Sequence, residues 1–479
     1  MSVDRSTLPA VGADPHFRFP PVERRPLPHG GGLRVVVYRE VPVIALMAVL
    51  LVGSADDPPD AFGLATLTSD LLDEGAADRR ALDLHDALSR IGGQLDIDTG
   101  YDATTVLLVS LARHRDRALE LLADIVFRPR FDPDDVERVR TLRLNRLRQL
   151  RDVPSARAEE AFTRHLFGDG HPYGHLPIGR ATTLEGIGPD AVRAFHGRHF
   201  LVDRAAFVAA GDLDADNLAE AIARVVPGAH GPATGQEGVT ARAGDGGGGD
   251  GGTADADRGR APVPRLPAGR RIVLIDRPGA PQSELRVGCV AASRATPDYH
   301  ALVTMNAALG GQFVSRINLN LRERKGHTYG ARSWFEFRRA PGPFAVQASV
   351  QTSATADSVR EVFAELQGLG ADHPVTPGEL DLAKASLTRG YPRNFETAEQ
   401  LARAMAQQVV HGLPDDYYDR FVPTIRAVDG AAVTRVATRW IPPDRMTVVV
   451  VGDRASVREP LAQLDLGEPV DDPGEPGAA

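Results

Sequence analysis

LGGQFVSRINLNLRERKGHTYGARSW, residues 309–334, is the stretch on which the reading of the chain turns. A Gly-Gly pair precedes a helical run in which Ile317 and Leu321 stand four apart, and Gly326 interrupts that run before Tyr329 and Gly330. A glycine after the last periodic residue stops a helix. Arg322 is therefore expected on the last turn of a helix and Tyr329 just past it, where a β-rich segment begins, with both side chains facing one place.

The segment resembles the carboxy-terminal half of the pitrilysin/insulinase metallopeptidases, the inverted-motif zinc peptidases that include the mitochondrial processing peptidase. Their pattern is L-G-G-x-x-x-S-R-L-x-x-x-L-R-E-x-x-G-x-x-Y. The resemblance implies that Arg322 and Tyr329, seven residues apart, hold a peptide substrate, with Tyr329 placed to stabilise the oxyanion. Neither residue says this alone. An Arg at a helix end suits the macrodipole, and a Tyr before Gly is an ordinary half-buried strand residue. The spacing inside the whole motif selects the functional reading.

A chain of 479 residues is too long for one ordinary core, so at least two domains are expected. Its 42% apolar and 25% charged residues are those of a globular protein. Acidic residues exceed basic ones, 64 to 55, and no basic stripe suggests nucleic acid. Lys325 and Lys384 are the only lysines, which we read as codon bias. Cys289 is the only cysteine, so an internal disulfide and a Cys-rich zinc site are excluded. It lies in the apolar run ELRVGCVAA and reads as a buried, inert thiol. The first thirty residues hold no apolar segment of the secretory kind. The longest apolar run, residues 41–52, contains Pro42 and falls short of the roughly 20 residues that cross a bilayer. A soluble, cytoplasmic protein without a membrane partner is expected.

Along the chain, residues 33–38 and 43–52 read as adjacent strands separated by the turn at Arg39-Glu40. Helices follow at 62–72 and 80–91, then strands at 94–97 and 103–111. Further helices are expected at 116–127, from Pro133 onward and at 155–167, and a strand at 205–210 runs into Gly211-Asp212. The irregular interleaving predicts an α+β fold with a largely antiparallel sheet covered by helices. Between 227 and 267 the composition changes to GDGGGGDGGTADADRGRAPVP, which cannot bury enough apolar surface to offset its ordering entropy. It reads as a flexible tether between separately folding halves.

The second half repeats the first. HFLVDRAAFVAAGD at 199–212 matches WIPPDRMTVVVVGD at 440–453 with an offset of 241, and FDPDDVE from Phe131 matches VTPGELD from Val375 with an offset of 244. Duplication of a whole domain is implied. We therefore divide the chain into a flexible segment 1–30, an amino-terminal domain 31–228, a linker 229–268, a carboxy-terminal domain 269–467 and a disordered tail 468–479. The resemblance implies that the two domains face each other as half of a clamshell.

In metal-binding members of the family the first helix carries H-x-x-E-H, which aims two His at Zn²⁺ from one face, and a Glu about 75 residues further on completes the set. Here Gly63-Leu64-Ala65 is followed by Thr66-Leu67-Thr68-Ser69-Asp70. Thr66 and Asp70 stand at the ligand positions and Ser69 at the base position. The distal position falls near Asn145 or Arg146, with no carboxylate in 142–151. No metal is expected in this chain. His165, His171 and His175 in HLFGDGHPYGH, and His196 and His199 in HGRHF, read as surface or turn residues, and His327 as a loop residue.

These observations point to the zinc-less subunit of a heterodimeric metallopeptidase. The resemblance implies a homologous partner chain with H-x-x-E-H and Zn²⁺, and a peptide substrate. The alternative is a non-catalytic scaffold or peptide-binding protein of the same fold. A stand-alone peptidase with another site finds no Ser/His/Asp, Cys/His or paired-carboxylate signature to rest on.

Overall fold

The computed structural model describes residues 17–226 and 269–474. The expected linker lies outside them. The first half contains strands β1 (Glu23–Pro26), β2 (Gly32–Val37), β3 (Val43–Leu50), β4 (Gln94–Thr99), β5 (Thr104–Leu111) and β6 (Ala206–Gly211). Its longer helices are α1 (Leu64–Asp70), α2 (Ala81–Arg90), α3 (Arg115–Phe127), α4 (Pro133–Arg151), α5 (Pro154–Phe167), α6 (Pro189–His199) and α7 (Ala215–Val225).

The second half contains β7 (Arg271–Asp276), β8 (Gln282–Val290), β9 (Thr328–Phe335), β10 (Pro343–Gln351), β11 (Thr447–Gly452) and β12 (Pro469–Asp471). Helix α8 (Tyr299–Leu309) is followed by α9 (Arg316–Asn318), which continues as a π-helical stretch, Leu319–Arg324. Then come α10 (Thr355–Gly370), α11 (Pro377–Thr388), α12 (Ala398–His411), α13 (Tyr417–Ala427), α14 (Gly430–Trp440) and α15 (Arg454–Ala462).

Each half builds one six-stranded sheet, and the strand orders are β1-β2-β6-β3-β5-β4 and β9-β10-β8-β11-β7-β12. Read from opposite edges, five of the six strands correspond, and only the outer strands differ, β1 lying antiparallel to β2 and β12 parallel to β7. The 241-residue offset carries Ala206–Gly211 onto Thr447–Gly452, so β6 and β11 are equivalent. The sheets are antiparallel except where β2 runs beside β6 and β7 beside β11 and β12. The α+β expectation stands, with one correction. Strands β2 and β3 are not neighbours, because β6 returns at the end of the half and pairs with both.

Two terminal expectations are also corrected. Residues 17–30 are not unstructured: β1 pairs with β2, and Phe17 and Phe19 pack on Phe395 at 4.8 and 5.3 Å between ring centroids. Residues 469–471 belong to β12 rather than to a tail.

Local chemistry explains where the helices begin. Helices α4 and α5 each carry Pro in the first turn, where its missing N–H costs nothing, and α4 adds Asp134 and Asp135 at the positive end of its dipole. Strand β3, VIALMAVL, is buried on both faces because helices cover both sides of its sheet.

What covers each sheet is not all from its own half. Ala158, Phe162 and Leu166 of α5 pack on Val273 and Ile275 of β7 and on Val449 and Val451 of β11. Conversely, Leu401, Ala402 and Met405 of α12 pack on Ala45, Met47 and Val49 of β3 and on Val208 and Ala210 of β6. The halves exchange a helix each, and α5 and α12 hold equivalent places in the duplicated unit. Gly288 makes one seat possible, since a Cβ there would stand 2.8 Å from the Phe162 ring and 2.0 Å from the Phe344 carbonyl. Halves that fold separately, as the linker leads us to expect, would each leave a sheet without an apolar cover worth about 1.5–3 kcal/mol per large side chain.

Candidate functional site

The 309–334 stretch folds as a loop, a helical turn and an edge strand. Gly310 and Gly311 let the loop lie against β9, because a Cβ on Gly310 would sit 2.4 Å from Ser333 Oγ and one on Gly311 2.8 Å from Asn306 Nδ2. The helix then widens into the π-helical stretch, and Gly326 (φ +66°) turns the chain into β9. Extra residues in a helix of this kind recur at functional sites.

Strand β9 lies at the edge of its sheet, and its register with β10 slips between Thr328 and Ala331. The slip leaves Tyr329 and Gly330 as a bulge. Tyr329 is 93% exposed. Asn318, itself buried, fixes the bulge: its Oδ1 accepts from Ala331 N at 2.9 Å while its Nδ2 donates to Phe313 O at 2.6 Å. Thr328 Oγ1 donates to Ser349 O at 2.6 Å on the other side. A cavity of about 400 Å³ opens between the Gly-Gly loop, Phe313, Asn318, Tyr329 and the β10 segment at Gln347–Ser349.

Arg322 is not a wall of this cavity. Its guanidinium lies over the Phe313 ring, 4.2 Å from the centroid, and Nε stands 3.4 Å from Glu323 Oε1. Phe313 therefore joins Arg322 to the cavity that Tyr329 lines. Sequence reading singled out the two ends of this arrangement and missed Phe313 and Asn318 between them. The exposed Phe313 was visible as an apolar residue after Gly-Gly, but nothing local marks Asn318 as a clamp.

The degenerate metal positions lie together on α1. Thr66 Oγ1 accepts from Arg143 Nη1 at 2.6 Å and donates to the Pro177 carbonyl. Asp70 pairs with Arg143 Nη2. Ser69 Oγ donates to Ala65 O at 3.0 Å and accepts from Thr99 Oγ1 at 2.7 Å. The donor set offers a Zn²⁺ ion one carboxylate already engaged by a guanidinium, two hydroxyls and no imidazole, so the residues do not fit the ion. The α4 residue that meets Thr66 and Asp70 is Arg143, close in sequence to Asn145 and Arg146. Among the described residues no group of three or more His, Cys, Asp or Glu is placed to hold a metal.

The histidines are scattered: His171 and His175 lie in a turn, as expected, but are buried there, and His165, His196 and His199 on their helices are half-buried. His165 Nε2 meets Asp472 at 2.9 Å, His175 Nε2 meets Asp57 at 3.2 Å, and His171 Nδ1 accepts from Tyr173 N at 2.9 Å. His175 and Asp57 are both buried, and Asp57 also accepts from Gly63 N and Ala65 N at 2.7 Å, fixing the start of α1. His196 Nε2 donates to Val126 O at 2.8 Å, and burial lowers the pKa of both His196 and His199. His327 turns to Ser358 at 3.1 Å, away from Tyr329's cavity. Cys289 is buried, and burial pushes its thiol up to about 12.

Comparisons with known proteins bear on the family and the fold. The family model described as insulinase (peptidase family M16) matches residues 37–175, and that described as peptidase M16 inactive domain matches residues 186–387. An uncharacterized zinc protease of Mycobacterium tuberculosis is 28% identical over 464 residues, covering 94% of this chain and 98% of its own length. One of Streptomyces coelicolor is 26% identical over 377 residues, covering 76% and 75%. Among solved structures, a peptidase M16 inactive domain from Pseudomonas fluorescens has a TM-score of 0.79 at 23% identity, covering 90% of this chain and 98% of that one. A protease from Helicobacter pylori has a TM-score of 0.78 at 18% identity, covering 90% and 99%. The two family models together span most of the duplicated unit, and the chain belongs to the insulinase-type (M16) peptidase family.

Proposed function

We propose that this chain is the non-zinc subunit of a heterodimeric metallopeptidase of the cytoplasm, and that it lends Arg322 and Tyr329 to peptide hydrolysis carried out on a homologous H-x-x-E-H partner. The observation that carries the reading is Tyr329. It is 93% exposed on a bulge that Asn318 and Thr328 hold in place, beside a cavity walled in part by Phe313, on whose ring the Arg322 guanidinium lies. An anchored aromatic hydroxyl with so little contact in its own chain is suited to donate to a charge developing on a bound substrate. Arg322 would fix a substrate carbonyl and orient the peptide. The resident groups on α1 do not fit zinc, so the hydrolytic step belongs to the partner.

The test is peptidase activity on a quenched-peptide library, for this chain alone and mixed with the product of any neighbouring gene that encodes H-x-x-E-H. Activity is expected only in the mixture, and Tyr329→Phe is expected to lower kcat by about 10²–10³. An active mixture indifferent to Tyr329→Phe removes the residue from the mechanism. The second reading, a scaffold, is favoured by the ion pair that fills the degenerate cradle. A silent complex of the two chains would establish it.

A further inference from the structure

A second cavity, of about 470 Å³, is walled by Tyr299, Tyr391, Phe395, Tyr417, Tyr418 and Phe421, and neither Arg322 nor Tyr329 belongs to it. Its one unneutralised cation is Arg294. The guanidinium lies 3.6 Å from the Tyr299 centroid and 4.7 Å from that of Tyr417, and among the described residues no carboxylate pairs with it. Arg403, the other cation on the wall, is neutralised by Asp96 and Glu399 at 2.7 and 2.9 Å. The cavity wall itself contains no acid.

Further polar groups stand idle around the same rings. Tyr417 is 9% exposed, and its hydroxyl faces Tyr299 and Arg294 without a well-aligned hydrogen bond to either. His300 stacks loosely on Tyr417 at 5.8 Å and leaves Nε2 without a partner. A buried polar group without a partner calls for an explanation. Stacking occupies the faces of the Arg294 guanidinium and leaves its in-plane N–H groups to donate, the geometry in which Arg takes a carboxylate. Aromatic walls around such a fork suit an anion attached to a bulky apolar body.

The cavity does not end there. It shares Arg403 and Gln407 with an adjoining cavity of about 240 Å³, which runs between the halves past Tyr101 and Arg338 and carries its acids, Asp98, Asp102 and Glu336, away from Arg294's own wall. A ligand that fills both is elongated. We propose that this composite groove binds the carboxy-terminal end of a peptide, with the terminal carboxylate on Arg294 and Tyr417 and a large apolar last side chain among the aromatic rings. The amides of Asn394 and Gln407 stand on the walls where a peptide backbone would pass.

Binding can be measured on this chain alone, so the assay is independent of any partner or turnover. A fluorescently labelled hexapeptide ending in Leu-Phe is titrated as the free acid and as the carboxy-terminal amide, with 3-phenylpropanoic acid as competitor. The free acid is expected to bind at least about tenfold more tightly than the amide, and Arg294→Gln or Tyr417→Phe to erase that difference. Tyr417→Phe removes only a hydroxyl, and the acid-amide comparison needs no substitution, so a misfolded Arg294 variant does not decide the matter. Equal binding of acid and amide would overturn the proposal. So would 3-phenylpropanoic acid binding as tightly as the peptide, which would make this a site for a small organic acid.

Discussion

Arg143 and Asp70, 73 residues apart in the chain, close an ion pair across α1 and α4 at the place where metal-binding relatives of this fold are expected to hold their ion. The Arg143 side chain is 9% exposed and that of Asp70 50%. Arg143 also donates to Thr66 and comes within 3.4 Å of the Ile178 carbonyl, so one tethered cation ties two helices and a loop. Arg143→Ala strips a donor from the buried Thr66 hydroxyl and is expected to cost about 1–3 kcal/mol. Asp70→Asn, at a half-exposed carboxylate, should cost less than about 1 kcal/mol. Urea denaturation of both variants checks the order, and a neutral Arg143→Ala would show that the bridge holds nothing together.

The exchanged helices make a prediction about cooperativity. Phe162 belongs to the first half, but its ring is seated in the sheet of the second, whose core Trp334 also adjoins. Both tryptophans of the chain, Trp334 and Trp440, are in the second half. Phe162→Ala should therefore lower the unfolding free energy reported by tryptophan fluorescence by about 3–5 kcal/mol. An unchanged fluorescence transition would mean that the halves unfold independently.

Cys289 offers a probe of opening. Its thiol donates weakly to Trp440 O at 3.5 Å inside the second core and is held up near 12 by burial, far from the thiolate that reacts. Labelling by a disulfide reagent at pH 8 should be slow in the native protein and should accelerate in step with denaturant. Rapid labelling without denaturant would show that β8 opens locally.

How much of this was legible in the sequence depends on the range of the interaction. Glycines, prolines and apolar periodicity act over a few residues, so the starts of α4, α5 and β3 and the break at Gly326 fall within a residue of where they are read, whereas β3 ends at Leu50, two residues short. The repeat offset aligned β6 with β11 because whole-domain duplication preserves register. Periodicity shows that α5 has a buried face but not which sheet buries it, and the exchange with α12 went unseen. Arg143 was hidden for the same reason: an Arg on a long charged helix looks solvated until a partner 73 residues away is brought to it. Tyr329 was identified from its motif, whereas Asn318, which sets its position, acts through two backbone groups that no pattern records.

His300 and His411 give the chain an acid-sensitive region around Arg294. Burial first, and then the Arg294 charge, joined at His411 by Arg339, lower both from the ordinary 6.5 to about 4. Both are neutral in the folded protein above about 4, whereas the unfolded chain takes up protons there from about 6.5 downward. Between those values the unfolded state binds more protons, so these residues make stability fall as pH falls from 6.5 to 4, and contribute no further change below that. Asp56 works in the opposite sense: burial raises it to about 6, and stability from that group grows as pH falls from 6 toward 4. A comparison of slopes separates the two. Urea midpoints measured at pH 7.5, 6.5, 5.5 and 4.5 should decline more steeply in the native chain than in a His300→Gln/His411→Gln variant, in which the Asp56 contribution is retained. Parallel profiles would show that neither imidazole is held neutral by the fold.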